Sequence, residues 1–169
     1  FSNAGLLTLN ADISADGAVT QNGAGMVTIN TDRTITTTAD AVGFATNVTL
    51  AKTGGSGLLT INTTSGNAAG ANISFASKLD GTTAGAEPLT LNAGTSGNIL
   101  FTGAVGSSGR LGAINITNAN NVTESAGITA ASLTQAAGQG TTTFNGAVNT
   151  DTATGVSLTG NAQTVNAGI

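Results

Sequence analysis

The sequence predicts an all-β chain folded as a right-handed parallel β-helix, a β-solenoid with roughly 20 residues per coil. One supporting observation is a short motif in which two apolar residues flank Thr or Ser, as in Leu59-Thr60-Ile61. A second is that the first copies of this motif return at intervals of 20 and 21 residues. A third is composition, because a chain with only 3% aromatic residues has little to fill the wide core of a sandwich.

The motif ends in Asn at residues 6–10, 26–30, 58–62 and 88–92. Its alternation of apolar and polar residues is the period-2 pattern of a strand with one buried face and one wet face. No stretch shows a convincing helical period. The core is therefore predicted to contain Leu7, Leu9, Val27, Ile29, Leu50, Leu59, Ile61, Phe75, Leu91, Phe101 and Phe144.

The spacing of the motif favours stacked coils. Leu9, Ile29 and Leu50 follow one another at intervals of 20 and 21, and a later interval, before Leu91, is 30. We therefore expect roughly eight coils about 4.8 Å apart, with a loop at residues 81–87 lengthening one of them. Asn-Gly and Asp-Gly pairs also signal hairpins, which leaves an antiparallel β-sandwich as the alternative fold.

Charge and composition exclude several classes of function. The net charge is −4 and the four basic residues are scattered, so we expect no nucleic-acid partner. No run reaches the roughly 18 apolar residues of a membrane helix, so we expect no membrane insertion. A chain without Cys that is acidic and rich in Thr and Asn fits an extracellular protein of the bacterial cell surface that does without disulfides.

Several phrases of the sequence resemble very large bacterial surface proteins built from β-strand repeats. They include GLLTLNADI at residues 5–13, LDGTTAGAEPLTLNAG at 79–94 and GVSLTGNAQTVNAGI at 155–169. Such proteins are similar to the filamentous-haemagglutinin-like and autotransporter-passenger proteins. The resemblance implies a right-handed parallel β-helix, export to the cell surface and a role in adhesion or surface architecture. We therefore expect residues 1–169 to be a single solenoid segment of a longer repeat array or fibre.

The asparagines that end the motif are the clearest structural candidates. Asn10, Asn30, Asn62 and Asn92 each follow a strand-like run. Asn at one corner of successive coils can stack its amides in a hydrogen-bonded ladder, and it tolerates the left-handed backbone of a tight turn. We predict that these four residues form such a structural ladder.

The sequence offers little catalytic chemistry. It has no His or Cys, and its acidic residues lack the Tyr and Trp that sugar-cleaving sites add. We therefore expect no enzyme, no catalytic residue and no cofactor. Calcium is the one ion for which oxygen ligands lie close together, at Asn10, Asp12 and Asp16.

The predicted function is structural: a subunit or shaft of a bacterial surface fibre, stalk or adhesin that assembles end to end. Its partner would be a further copy or a neighbouring repeat of the same chain, with host or cell-surface carbohydrate as a further candidate. Two alternatives remain. One is a carbohydrate-binding or carbohydrate-cleaving β-helix, and the other is a pilin-like subunit that polymerises by strand exchange.

Overall fold

The computed structural model describes residues 1–30 and 32–169, in which the secondary structure is strand without helix. Most strands are three or four residues long, because Gly, Asn and Ser interrupt each apolar run after two inward positions. The strands are β1 (Leu7–Leu9), β2 (Ile13–Ala15), β3 (Val19–Gln21), β4 (Val27–Asn30), β5 (Arg33–Thr37), β6 (Val42–Phe44), β7 (Val48–Ala51), β8 (Leu59–Asn62), β9 (Ile73–Phe75), β10 (Leu79–Gly81), β11 (Leu89–Asn92), β12 (Ile99–Phe101), β13 (Leu111–Asn118), β14 (Val122–Glu124), β15 (Ile128–Gln135), β16 (Thr141–Phe144), β17 (Val148–Thr150), β18 (Val156–Leu158) and β19 (Ala162–Val165).

The strands stack in three columns that run along the axis of the molecule. Column A contains β1, β4, β7 and β10, continues through a bridge at Val105, and ends with the first half of β15 and β17. Column B contains β2, β5, β8, β11, β13, the second half of β15 and β18. Column C contains β3, β6, β9, β12, β14, β16 and β19. Every pair of neighbouring strands is parallel, so each strand lies one turn from its partner.

This architecture is a β-solenoid, and the antiparallel sandwich is excluded. It has about seven turns of roughly 23 residues. The expected period of about 20 residues is therefore slightly too short, and the expected number of eight coils is slightly too high. At a spacing of about 4.8 Å the described turns span roughly 30 Å between the first and the last. Residues 82–88 do form a loop between β10 and β11, but the longer excursion is residues 63–72, between β8 and β9.

The core is a thin interior between the three columns. All the predicted core residues except Leu7 are buried, and Leu7 is partly buried because it belongs to the first turn, which has a neighbour on one side only among the described residues. Like residues follow one another in register, as in Leu59↔Leu89 and Ile61↔Leu91. The alternation of buried and half-buried residues along β8 and β11 is the pattern expected for strands with one inward face.

Candidate functional site

The inward end of column C carries a stack of phenyl rings. Phe44, Phe75 and Phe101 occupy the same register position in successive turns. Their ring centroids are 5.5 and 5.6 Å apart, and the planes are inclined by only 15° and 8°. Phe1, by contrast, is 54% exposed. The sequence analysis placed Phe75 and Phe101 in the core, and the structure adds that their rings stack with nearly parallel planes.

Glu124 interrupts the phenyl stack. It occupies the next position of the same column, between Phe101 and Phe144, and is fully buried. Its Oε1 accepts hydrogen bonds from the backbone N–H groups of Ala126 and Gly127, and its Oε2 accepts one from Gly146 at 2.9 Å. The carboxyl therefore joins two successive corners of the solenoid from inside.

Gln21, at the first strand of column C, also bonds backbone groups of two successive corners. It is 1% exposed, and its Nε2 donates to the carbonyl groups of Gly23 and Gly25 at 2.7 and 3.1 Å. Its Oε1 accepts from the backbone N–H groups of Ala45 and Thr46. An amide can bond both kinds of backbone group, whereas the carboxyl of Glu124 accepts N–H bonds only.

The four predicted ladder asparagines do not form one ladder, which corrects the prediction. Asn30 Nδ2 donates to Asn10 Oδ1 at 2.5 Å; Asn30 ends β4 of column A, and Asn10 directly follows β1 of the same column. Asn62 and Asn92 are register partners in column B, but their amides do not bond each other directly. The Thr64 hydroxyl bridges them: it donates to Asn62 Oδ1 at 2.6 Å and accepts from Asn92 Nδ2 at 3.1 Å. The motif recurs in two different columns, because one turn carries two copies of it, at Val48–Ala51 in column A and at Leu59–Asn62 in column B.

A longer asparagine ladder lies at the entrance to column C and was missed by the sequence analysis. Asn98 donates to Asn72 Oδ1 from its backbone N–H at 2.8 Å and from Nδ2 at 3.2 Å. Asn121 repeats both bonds to Asn98 Oδ1, at 3.1 and 2.9 Å, and the backbone N–H of Thr141 continues the series to Asn121. The available signal was the phrase NISF at residues 72–75, repeated as NILF at 98–101 and NVTE at 121–124.

A shallow groove of about 380 Å³ runs along this ladder on the outer face of column C. Successive rungs contribute Ser74, Leu100 and Thr123, which are register partners and point outward. Leu100 in the middle is 40% exposed. The lining contains hydroxyl, amide and alkyl groups and no charged side chain.

The acidic residues serve corners rather than a common centre. Asp12 accepts from the backbone N–H of Thr34 at 2.9 Å, and Asp80 accepts from that of Ser108 at 2.9 Å. Across residues 1–30 and 32–169 no three acidic, His or Cys side chains lie together as a group that could hold a metal ion. Over the same ranges no helix is present that is long and apolar enough to span a membrane.

Asp32 holds the loop between β7 and β8. Asp32 itself has a φ of 56°, and its carboxyl accepts from the Ser56 hydroxyl at 2.6 Å and from the backbone N–H of Leu58 at 3.3 Å. The hydrogen bond from the Ser56 hydroxyl is the main reason why the pKa of Asp32 lies below its ordinary value of 3.8, against a smaller opposing effect of desolvation.

The two end turns present complementary open edges. In the described part of the chain β1 and β2 pair on one side only, and so do β18 and β19 at the other end. The remaining edges are partly covered: the Phe1 carbonyl accepts from the backbone N–H of Asn22, and the Gly168 carbonyl accepts from that of Val148. Column B is therefore the one column that is open at both ends.

Comparison with protein-family models, with curated proteins and with solved structures finds no match for this chain.

Proposed function

We propose that this chain is a structural, non-enzymatic segment of an extracellular bacterial fibre, stalk or adhesin shaft, and that its end turns are covered by stacking on a further solenoid. The observation that carries the proposal is the pair of open edges, β2 and β18, at opposite ends of column B. An open strand presents unpaired N–H and C=O groups, which another strand can satisfy. A second copy placed on the axis would bring its β2 onto β18.

Apolar burial favours the same contact. Ile13 and Leu7 on the first turn and Leu158 on the last turn are only partly buried, although their counterparts within the stack are buried. Val165 of β19 is 48% exposed. A further turn on either end would remove this surface from water, at roughly 25 cal/mol per Å² of apolar area.

Charge does not oppose the contact. Charged residues are 7% of the chain, and Asp151, near the last turn, pairs with Arg110 at 3.2 Å. Stability in such a stack is a sum of nearest-neighbour terms, so added segments lengthen the rod without changing its width. The hydroxyl and amide groups on the outer faces keep the rod hydrated, as an extracellular shaft requires.

The proposal is tested by a proline that blocks the open edge of β18. Leu133 N donates to Gly155 O and Thr159 N donates to Gln135 O, so alternation along β18 directs the N–H of Leu158 away from the molecule. Leu158→Pro removes this outward donor and places a ring where the next strand would lie. Leu158→Val, which keeps the donor and the strand propensity with a side chain close in size to proline, is the matched control.

We expect the purified chain to form rods that lengthen with concentration in electron microscopy and light scattering. Leu158→Pro should weaken this association by at least about tenfold, whereas Leu158→Val should not. A chain that stays monomeric at about millimolar concentration, or one whose assembly Leu158→Pro leaves unchanged, would contradict end-to-end stacking through this edge.

A further inference from the structure

The groove on column C has the composition of a binding site for a neutral ligand. Its volume of about 380 Å³ lies within the usual range of ligand sites, about 300–1,000 Å³. Leu100 supplies an exposed apolar patch at its centre, and Ser74 and Thr123 place a hydroxyl on either side. Since no charged side chain lines it, an ionic ligand would lose hydration there without gaining a counter-charge.

The asparagine ladder leaves hydrogen-bonding capacity facing the groove. Each Nδ2 carries two N–H groups, and Asn98 and Asn121 each donate one of them to the Oδ1 of the preceding asparagine in the ladder. In the hydrogen bonds of the described residues, the second N–H of each amide has no acceptor, nor do the hydroxyls of Ser74 and Thr123 donate. The groove therefore offers a row of donors and hydroxyls that ordered water or a ligand can satisfy.

These groups repeat along the axis with the rise of the solenoid, about 4.8 Å per turn. A ligand that used all three rungs would carry hydroxyl or amide groups at nearly the same interval. An extended β-1,4-linked sugar chain does so, because one sugar residue is about as long as one rung. The C–H faces of the sugar rings would lie on Leu100.

We propose that this groove binds two or three consecutive residues of a neutral, extended β-1,4-linked glycan that lies parallel to the axis. A peptide strand is disfavoured, because the groove lies on a sheet face whose backbone groups are already bonded between β9, β12 and β14. An acidic glycan would find no cation in the lining, in a chain of net charge −4. The site is on the side of the rod in its middle turns, so it does not depend on stacking of the ends.

The test is an NMR titration of the whole 169-residue chain with cellotetraose. We expect saturable shifts of the side-chain amides of Asn72, Asn98 and Asn121, with a Kd of about 1 mM, because the site has no aromatic platform. Maltotetraose, whose α-1,4 links curl the chain, should bind at least about tenfold more weakly. Shifts without saturation, or equal shifts from both sugars, would overturn the proposal.

A matched pair of variants locates the site. Leu100→Arg fills the groove and should lower the affinity for cellotetraose by about tenfold or more. Thr49→Arg introduces the same charged side chain at an outward position of column A and should leave the affinity unchanged. If Leu100→Arg does not fold, Thr123→Arg at the next rung replaces it. Retained affinity in a folded groove variant would place the sugar elsewhere and refute the assignment.

Discussion

Two kinds of rung occupy the same inward position of column C. Phe44, Phe75 and Phe101 form a continuous apolar stack, whereas Glu124 in the following turn is equally buried and polar. The rings gain from apolar burial and from contact with one another across successive turns. The carboxyl gains from N–H groups of the corner that follows it, at Ala126 and Gly127, and of the next corner.

The difference shows that an inward position in a solenoid requires volume and a partner, not an apolar side chain as such. A ring suits a rung where at least one neighbouring rung covers it with an apolar side chain. A carboxyl suits a rung whose corner turns its N–H groups inward. Gly127 makes that corner possible, because its φ of 106° is one that other residues rarely adopt.

The largest expected effect comes from breaking the phenyl stack at its centre. Phe75→Ala removes a ring that contacts both neighbours and leaves a cavity in the core, so the free energy of unfolding should fall by about 3–5 kcal/mol. Phe1→Ala, at an exposed position, should change it by less than about 0.5 kcal/mol. Guanidinium denaturation of both variants measures the difference. Equal losses would mean that the stack contributes nothing specific.

The comparison is sharpened by turning the polar rung into an aromatic one. Glu124→Phe would extend the ring stack from Phe101 to Phe144, a gain of about 0.5–1.5 kcal/mol per ring pair. It also removes the acceptor of three backbone N–H groups that point to the buried carboxyl, at up to about 1–3 kcal/mol each. We therefore expect a net loss of about 2 kcal/mol or more, measured by the same denaturation.

Glu124→Gln is the control for that substitution. The amide keeps the size of the side chain and one acceptor oxygen, so its loss should be smaller than that of Glu124→Phe. If Glu124→Phe were the more stable of the two, ring stacking would outweigh the corner hydrogen bonds, and the account of Glu124 would be wrong.

The smallest effect concerns a carboxyl that serves a corner from the outside. The pKa of Asp32 is lowered mainly by the Ser56 hydroxyl, so its contribution to stability is present above pH 3.8 and is lost as the pH falls through the lowered value. Ser56→Ala should lower the Tm slightly at neutral pH, and the difference from the parent chain should shrink below pH 3.8. Because Asp32 is exposed, solvent keeps this effect small.

Ser107→Ala is the control for the pH series, since Ser107 is exposed and lies in another loop. Its Tm difference from the parent chain should not depend on pH over the same range. A Ser56→Ala difference that persisted unchanged well below pH 3.8 would show that the hydroxyl acts on something other than the ionised Asp32 carboxyl.

The sequence by itself determined the strands and the direction in which their side chains point. Alternation in Leu59-Thr60-Ile61 places Leu59 and Ile61 on one face and Thr60 on the other, and this follows from the geometry of a single strand. The shortage of aromatic residues and the return of the motif then favoured stacked coils over a sandwich. These signals are local or nearly so, and the solenoid fold follows from them.

Only the tertiary structure decided which residues of different turns meet. Asn62 and Asn10 end the same motif but follow strands of different columns, because one turn carries two copies of the motif, at Val48–Ala51 in column A and at Leu59–Asn62 in column B. The ladder from Asn72 to Asn121 exists because coils of different length bring these residues to one corner. The burial of Glu124 depends in part on the same stacking: its Oε1 bonds the local corner, but its Oε2 finds the N–H of Gly146 only after the next turn has stacked.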